Sequence, residues 1–149
     1  MKLKQFKLPN GKKIFALNKL GAQECYKEIY EDDIYFQFGI EVKPGDVVMD
    51  VGANIGLFSV YISEKIPDLK VYAFEPVPAI FEALQANLKN IPNAKAYNVG
   101  LSDEEKTVEF NYYPRVNTDS TSTPFDFDKQ VDMFMTKYST GIARLAPKK

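Results

Sequence analysis

The spacing of apolar positions changes along the chain, and each change marks an element. Leu3 to Leu8 and Ile14 to Leu17 carry apolar residues on either side of Pro9-Asn10-Gly11-Lys12. Asn-Gly between two such stretches favours a tight turn, so the chain is predicted to open with a β-hairpin. Ala22, Cys25, Tyr26, Ile29 and Tyr30 recur at helical spacing and predict a short amphipathic helix. An aromatic stretch, Ile34-Tyr35-Phe36-Gln37-Phe38, follows, with Tyr35, Phe36 and Phe38 expected in the core ahead of the alternative of ligand contacts, and Pro44-Gly45-Asp46 turns the chain into a new region.

From Val47 the periods alternate between strand and helix. Val47-Val48-Met49-Asp50-Val51 is a short apolar run ending near an acid, as expected of a parallel strand covered on both faces. Gly52 to Gly56 makes the turn out of it. Leu57, Phe58, Val60, Tyr61, Ile62 and Ile66 give a broad helical face that Pro67 stops. Lys70 to Phe74 reads as the second strand, and Ile80, Phe81, Leu84, Leu88 and Ile91 as a second amphipathic helix closed by Pro92. Ala94 to Val99 reads as the third strand. This β-α-β-α-β order predicts an α/β fold: a Rossmann-like, doubly wound, mostly parallel sheet with an N-terminal β-hairpin and helix. Beyond Asp103, Val108, Phe110 and Tyr112 alternate as in a half-buried strand, residues 117–123 read as a polar loop, and residues 130–149 have room for a helix. The organisation expected is a leader over 1–44 and a cofactor-binding domain over 45–149.

Composition narrows the chemistry. A chain of 149 residues buries roughly 68–70% of its unfolded surface and needs no staples. Nineteen basic and twenty acidic residues leave a formal charge of −1, and the lysines near the N-terminus are interrupted by apolar residues, so no nucleic-acid partner is expected. Cys25 is the single cysteine, which rules out an internal disulfide and favours a reducing, cytoplasmic setting. No apolar run is long enough for a membrane span, and no membrane association is expected. The absence of histidine removes histidine-dependent triads and histidine-ligated zinc, and no metal site is expected.

Ligands of open parallel sheets bind beyond the carboxyl ends of the strands, where Gly52, Ala53, Asn54 and Gly56 lie. Glycines let the backbone approach a ligand, and the next helix offers N–H groups to an anionic end such as a carboxylate. A dinucleotide fingerprint starting at Gly52 would need glycine at positions 54 and 57, which hold Asn54 and Leu57. Asp50 also disfavours a pyrophosphate: two like charges about 4 Å apart cost about 1 kcal/mol in water and roughly 4 kcal/mol at a partly screened site. The same sign favours a ligand bearing an ammonium and a sulfonium, so S-adenosylmethionine is the expected cofactor. Glu75, before Pro76 at the end of the second strand, suits the ribose hydroxyls. Leu101, Ser102 and Asp103, after the third strand, suit adenine and its amino group. Singly these residues have ordinary alternatives, Asp50 as a turn-capping carboxylate, Glu75 as a surface acid and Asp103 as a loop residue.

The segment Gly45 to Ser59, with Asp50-Val51-Gly52-Ala53-Asn54-Ile55-Gly56, then Ala73-Phe74-Glu75-Pro76 and Leu101-Ser102-Asp103, resembles the FkbM family of methyltransferases. Tyr26, Ile29, Tyr30, Tyr35 and Gly39-Ile40 look like that family's leader, and the resemblance covers roughly 23–113. It implies a class I methyltransferase fold and S-adenosylmethionine-dependent O-methylation of a hydroxyl on a small molecule, a sugar, or a carrier-bound polyketide or peptide intermediate. By the same resemblance Asp50 and Gly52 would line the methionine end, Asn54 would meet its polar groups, Glu75 the ribose, and Ser102 with Asp103 the adenine. Phe38 departs from the histidine many relatives have before Gly-Ile. The family's next strand, rich in Lys-Ile-Asp and Glu-Gly, is not found after Val131. An incomplete sheet is therefore expected, through truncation or missing segments. Two other readings stand beside this one: a catalytically inert cofactor-binding or docking module, and, more distantly, a nicotinamide oxidoreductase.

Overall fold

The computed structural model describes residues 2–103. Strands β1 (Lys4–Lys7) and β2 (Lys13–Ala16) form the antiparallel hairpin, with Lys7 opposite Lys13. Helix α1 (Lys19–Tyr26) starts at Asn18, whose side chain accepts the Gly21 N–H at 2.7 Å and so satisfies one of the helix's open donors. It runs into a π-helical turn, Lys27–Glu31, closed by the Asp32 N–H donating to the Lys27 carbonyl at 2.9 Å. Short 3₁₀ turns within Ile34–Gly39 are broken where Phe38 adopts φ 63°.

The second sheet contains β3 (Val47–Val51), β4 (Lys70–Phe74) and β5 (Ala94–Tyr97), all parallel and in the order β3-β4-β5. Helices α2 (Leu57–Lys65) and α3 (Pro78–Leu88) connect them. The elements predicted before Asp103 are all present, with β5 two residues shorter than expected. There Asn98 turns its amide onto the carbonyls of Glu75 at 2.8 Å and Pro76 at 3.1 Å, which ties the strand end to its neighbour without extending the ladder.

Successive right-handed crossovers in one direction place both helices on one face of the sheet. On that face Val48, Val71, Ala73, Ala94 and Ala96 pack under Val60, Ile62, Leu84 and Leu88. The opposite face carries Val47, Met49 and Val51, each more than half exposed, beside a Tyr72–Tyr97–Phe74 ring ladder with Phe74 and Tyr97 5.2 Å apart. Among the described residues β3 is covered on the helix side only, and the cover expected on its other face lies outside them. A second helical layer, a reversal of strand order, and the features anticipated at 108–112, 117–123 and 130–149 fall outside the described residues.

The leader packs into the same core as the sheet. Leu8, Ile14, Ala16, Leu17, Ala22, Cys25, Tyr26 and Ile29 form one buried cluster with Ile55, Leu57, Val77, Ile80 and Ala83. Asn87 on α3 fastens it: its Oδ1 accepts the Phe15 N–H at 2.7 Å, and its Nδ2 donates to the carbonyls of Phe15 at 2.8 Å and Ile55 at 2.7 Å. Hairpin, helix and the turn after β3 thus meet at one side chain.

Candidate functional site

The turn after β3 is shaped by its neighbours at the strand ends. The N–H groups of Gly52 and Ala53 both donate to the Phe74 carbonyl, at 3.0 and 2.9 Å. Gly52 has φ 74° and Gly56 φ 78°, left-handed values that suit glycine, and Asn54 joins them at φ 50°. A Cβ on Gly56 would lie 2.5 Å from Leu84 Cδ1, so a larger residue here would also force the buried Leu84 side chain to shift. At Gly52 a Cβ would meet no atom within 4 Å. Its bare backbone faces open space.

Asp50 lies on the helix side of β3 and beneath the start of α2. Its Oδ2 accepts the Ser59 hydroxyl at 2.6 Å, and Ser59 is fully buried. Burial pushes the Asp50 carboxyl above its ordinary value, partly offset by the Ser59 hydroxyl and backbone N–H. A carboxylate here also suits the positive end of α2. Asp50 thus bonds to the first turn of α2 through Ser59 and also lines a cavity.

Glu75 is not a surface acid; it is 5% exposed. Its Oε2 accepts the Asn54 N–H at 3.0 Å and its Oε1 the Val77 N–H at 2.8 Å. Each carboxylate oxygen has two lone pairs, so further acceptor capacity remains. Burial raises its pKa, the two N–H donors lower it, and the charge of Asp50 raises it further. Asn54 in turn accepts the Ile55 N–H at 2.8 Å.

The cavity, about 190 Å³, lies between this turn and the leader. Asp50, Gly52, Ala53 and Asn54 line it together with Ile55, Leu57 and Phe58. Its other wall is Cys25, Glu28, Ile29 and Tyr35. Cys25, Glu28 and Ile29 are spaced i, i+3, i+4 and therefore share one helical face. Sequence reasoning read Cys25 and Ile29 as part of an apolar helical stripe but did not aim them at the site, and it passed over Glu28. The expectation that the aromatic residues are core holds for Phe36, half-buried against Ile62, Leu69 and Val71, and is corrected for Tyr35 and Phe38, which are exposed. Tyr35 packs against Phe58 with ring centres 4.4 Å apart and reaches the cavity, while the break at Phe38 turns that ring wholly outward. Gly56, Glu75 and Pro76 do not line the cavity, and Pro76 lies against Gly100. Leu101, Ser102 and Asp103 lie at the exposed end beyond β5, where the Ser102 hydroxyl donates to Asp103 at 3.1 Å.

The four ion pairs among the described residues are Lys12–Glu64, Lys27–Asp32, Lys43–Glu41 and Lys65–Asp33. Neither Asp50 nor Glu28 takes part. Burial first, then the charges of Glu28 and Glu24, push the Cys25 thiol up to about 11, so it stays protonated and unreactive.

A parallel α/β sheet with a glycine turn and a carboxylate-lined cavity at its strand ends defines a Rossmann-like domain. The methyltransferase FkbM domain model matches residues 50–144. The chain belongs to this family, and the class I methyltransferase fold follows from it. It is 44% identical over 112 residues to AMB antimetabolite synthetase AmbE of Pseudomonas aeruginosa, covering 74% of this chain and 5% of that protein. It is 40% identical over 109 residues to 31-O-demethyl-FK506 methyltransferase FkbM of Streptomyces tacrolimicus, covering 72% and 42%. Methyltransferase sdnD of Sordaria araneosa is 37% identical over 118 residues, covering 77% and 45%. The chain thus spans less than half the length of each of these relatives. No helix among the described residues is long and apolar enough to cross a membrane.

Proposed function

We propose that this chain forms the S-adenosylmethionine-binding part of a methyltransferase that methylates a hydroxyl on a small molecule, a sugar or a carrier-bound intermediate. The observation that carries the reading is the cavity beside Gly52, whose two carboxylates, Asp50 and Glu28, have no cationic partner among the described residues. A cationic ligand supplies the missing charge, and Gly52 leaves its backbone open to it. Asp50, Gly52, Ala53 and Asn54 would hold the methionine end, Glu75 the ribose, and Leu101, Ser102 and Asp103 the adenine. When bound, S-adenosylmethionine supplies an activated methyl group. The residues of the chain bind and orient, and such positioning lowers barriers by about 7–11 kcal/mol in well-aligned systems. Transfer to oxygen agrees with the name of the 31-O-demethyl-FK506 relative.

The test is calorimetric titration with S-adenosylhomocysteine and with NAD. Binding of the first alone supports the reading. Tight NAD binding without S-adenosylhomocysteine binding overturns it.

A further inference from the structure

Glu28 is the one cavity residue with a charged side chain that lies outside the sheet domain, and nothing in the fold accounts for its charge. Its side chain is exposed, and among the described residues its carboxylate makes no hydrogen bond or ion pair. It nevertheless faces the site, because the leader helix turns the stripe Cys25, Glu28 and Ile29 onto the cavity wall opposite the Gly52 turn. The π-helical turn at Lys27–Glu31 contains it, and such turns re-aim side chains by inserting one residue into the helical repeat.

The ligand-binding surface therefore has two acids on two walls with different surroundings. Asp50 is committed to Ser59 through Oδ2 and sits at the start of α2. Glu28 has no such commitment. Tyr35 lines the same cavity, and its hydroxyl is shifted up by burial first, and then by the charges of Asp50 and of Glu28. A phenol held protonated there donates hydrogen bonds and leaves a cation to the carboxylates.

We infer that Glu28, a leader residue, is a binding residue for the α-ammonium group of the cofactor's amino-acid end, closing the site from the side opposite Asp50. The inference rests on the cofactor reading above. It makes the leader a part of the binding site as well as of the core. A primary ammonium has three donors and suits an exposed, uncommitted carboxylate better than the sulfonium does, because a sulfonium donates no hydrogen bond.

Glu28→Gln is isosteric and removes the charge without removing any contact seen in the fold, and circular dichroism checks that the variant is folded. Three ligands separate the possibilities by calorimetry or competition: S-adenosylmethionine, S-adenosylhomocysteine, which keeps the ammonium but lacks the sulfonium charge, and methylthioadenosine, which lacks both. The expected result is that Glu28→Gln weakens the first two equally, by roughly tenfold for a charged hydrogen bond at a half-open site, and leaves methylthioadenosine unchanged. Equal weakening of all three overturns the inference in favour of a structural role. Weakening of S-adenosylmethionine alone overturns it in favour of a sulfonium contact, and unchanged binding of all three removes Glu28 from the site. Failure of the unaltered chain to bind any of the three would instead bring down the cofactor reading itself.

Discussion

The carboxylate of Glu75 grips the backbone of Asn54 at 3.0 Å, joining the end of β4 to the turn that follows β3. Its other oxygen holds the Val77 N–H at 2.8 Å, just ahead of α3. One side chain therefore sets both the turn beside the cavity and the entry to the next helix. The ribose contact proposed for it would be an addition to this work.

Glu75→Ala leaves two backbone N–H groups without their acceptor. Each such group costs roughly 1–3 kcal/mol when buried, so a loss of roughly 2–4 kcal/mol in unfolding free energy is expected, the Asn54 group being only partly buried. Glu75→Gln retains one acceptor oxygen and should lose less. Urea unfolding of the two variants checks this, and an alanine variant as stable as the parent would show that the turn does not depend on Glu75.

The two turn glycines should separate packing from binding. Gly56→Ala meets Leu84 at 2.5 Å as well as an unfavourable φ of 78°. The expected cost is roughly 1–2 kcal/mol from the backbone plus roughly 1–3 kcal/mol from overpacking. Gly52→Ala carries the backbone cost alone but pushes a methyl group into the cavity side. Greater destabilisation is therefore expected at Gly56 and greater loss of S-adenosylhomocysteine affinity, per unit of stability lost, at Gly52. Equal unfolding midpoints for the two variants would contradict the packing argument.

Much of this was legible in the sequence because it depends on local periodicity. The hairpin follows from Asn10-Gly11, the strand from Lys70 to Phe74 agrees to the residue, and the crossovers follow from the alternation of periods. The tethers were not legible. That Glu75 turns inward to Asn54 and Val77 depends on how two strand ends meet, and Asn87 is one polar residue on a helix whose apolar face was plain. Its position between Leu84 and Leu88, on the buried side, is the signal that could have found it. The leader wall of the cavity needed the tertiary packing of α1 against the turn. No spacing rule contains it.

Asn87→Ala removes three hydrogen bonds that tie β2 and Ile55 to α3. A loss of roughly 2–3 kcal/mol is expected at the low end of about 1 kcal/mol per net bond. Amide hydrogen exchange should show Phe15 losing protection before the β3–β4 ladder does. Uniform loss across the whole chain would mean that the hairpin is not a separately fastened unit.

Asp50 and Glu75 both have carboxyl groups raised above their ordinary values by burial. The folded state then holds protons that the unfolded state has already released, so stability is fully present below the unfolded carboxyl pKa. It is lost as pH rises through the raised folded pKa, and it levels off above it. A buried charge without a cationic partner is thus a cost to the fold at neutral pH. Its value to the site lies in attracting a cation. Asp50→Asn removes the charge, while its side-chain carbonyl can still accept the Ser59 hydroxyl. The variant is expected to be at least as stable as the parent at pH 7, to lose part of the decline in stability between acid and neutral pH, and to bind S-adenosylhomocysteine more weakly. Urea unfolding at several pH values, combined with titration calorimetry at pH 7, measures all three. A variant that is less stable at every pH, with its affinity unchanged, would mean that Asp50 serves α2 through Ser59 and does not serve the ligand.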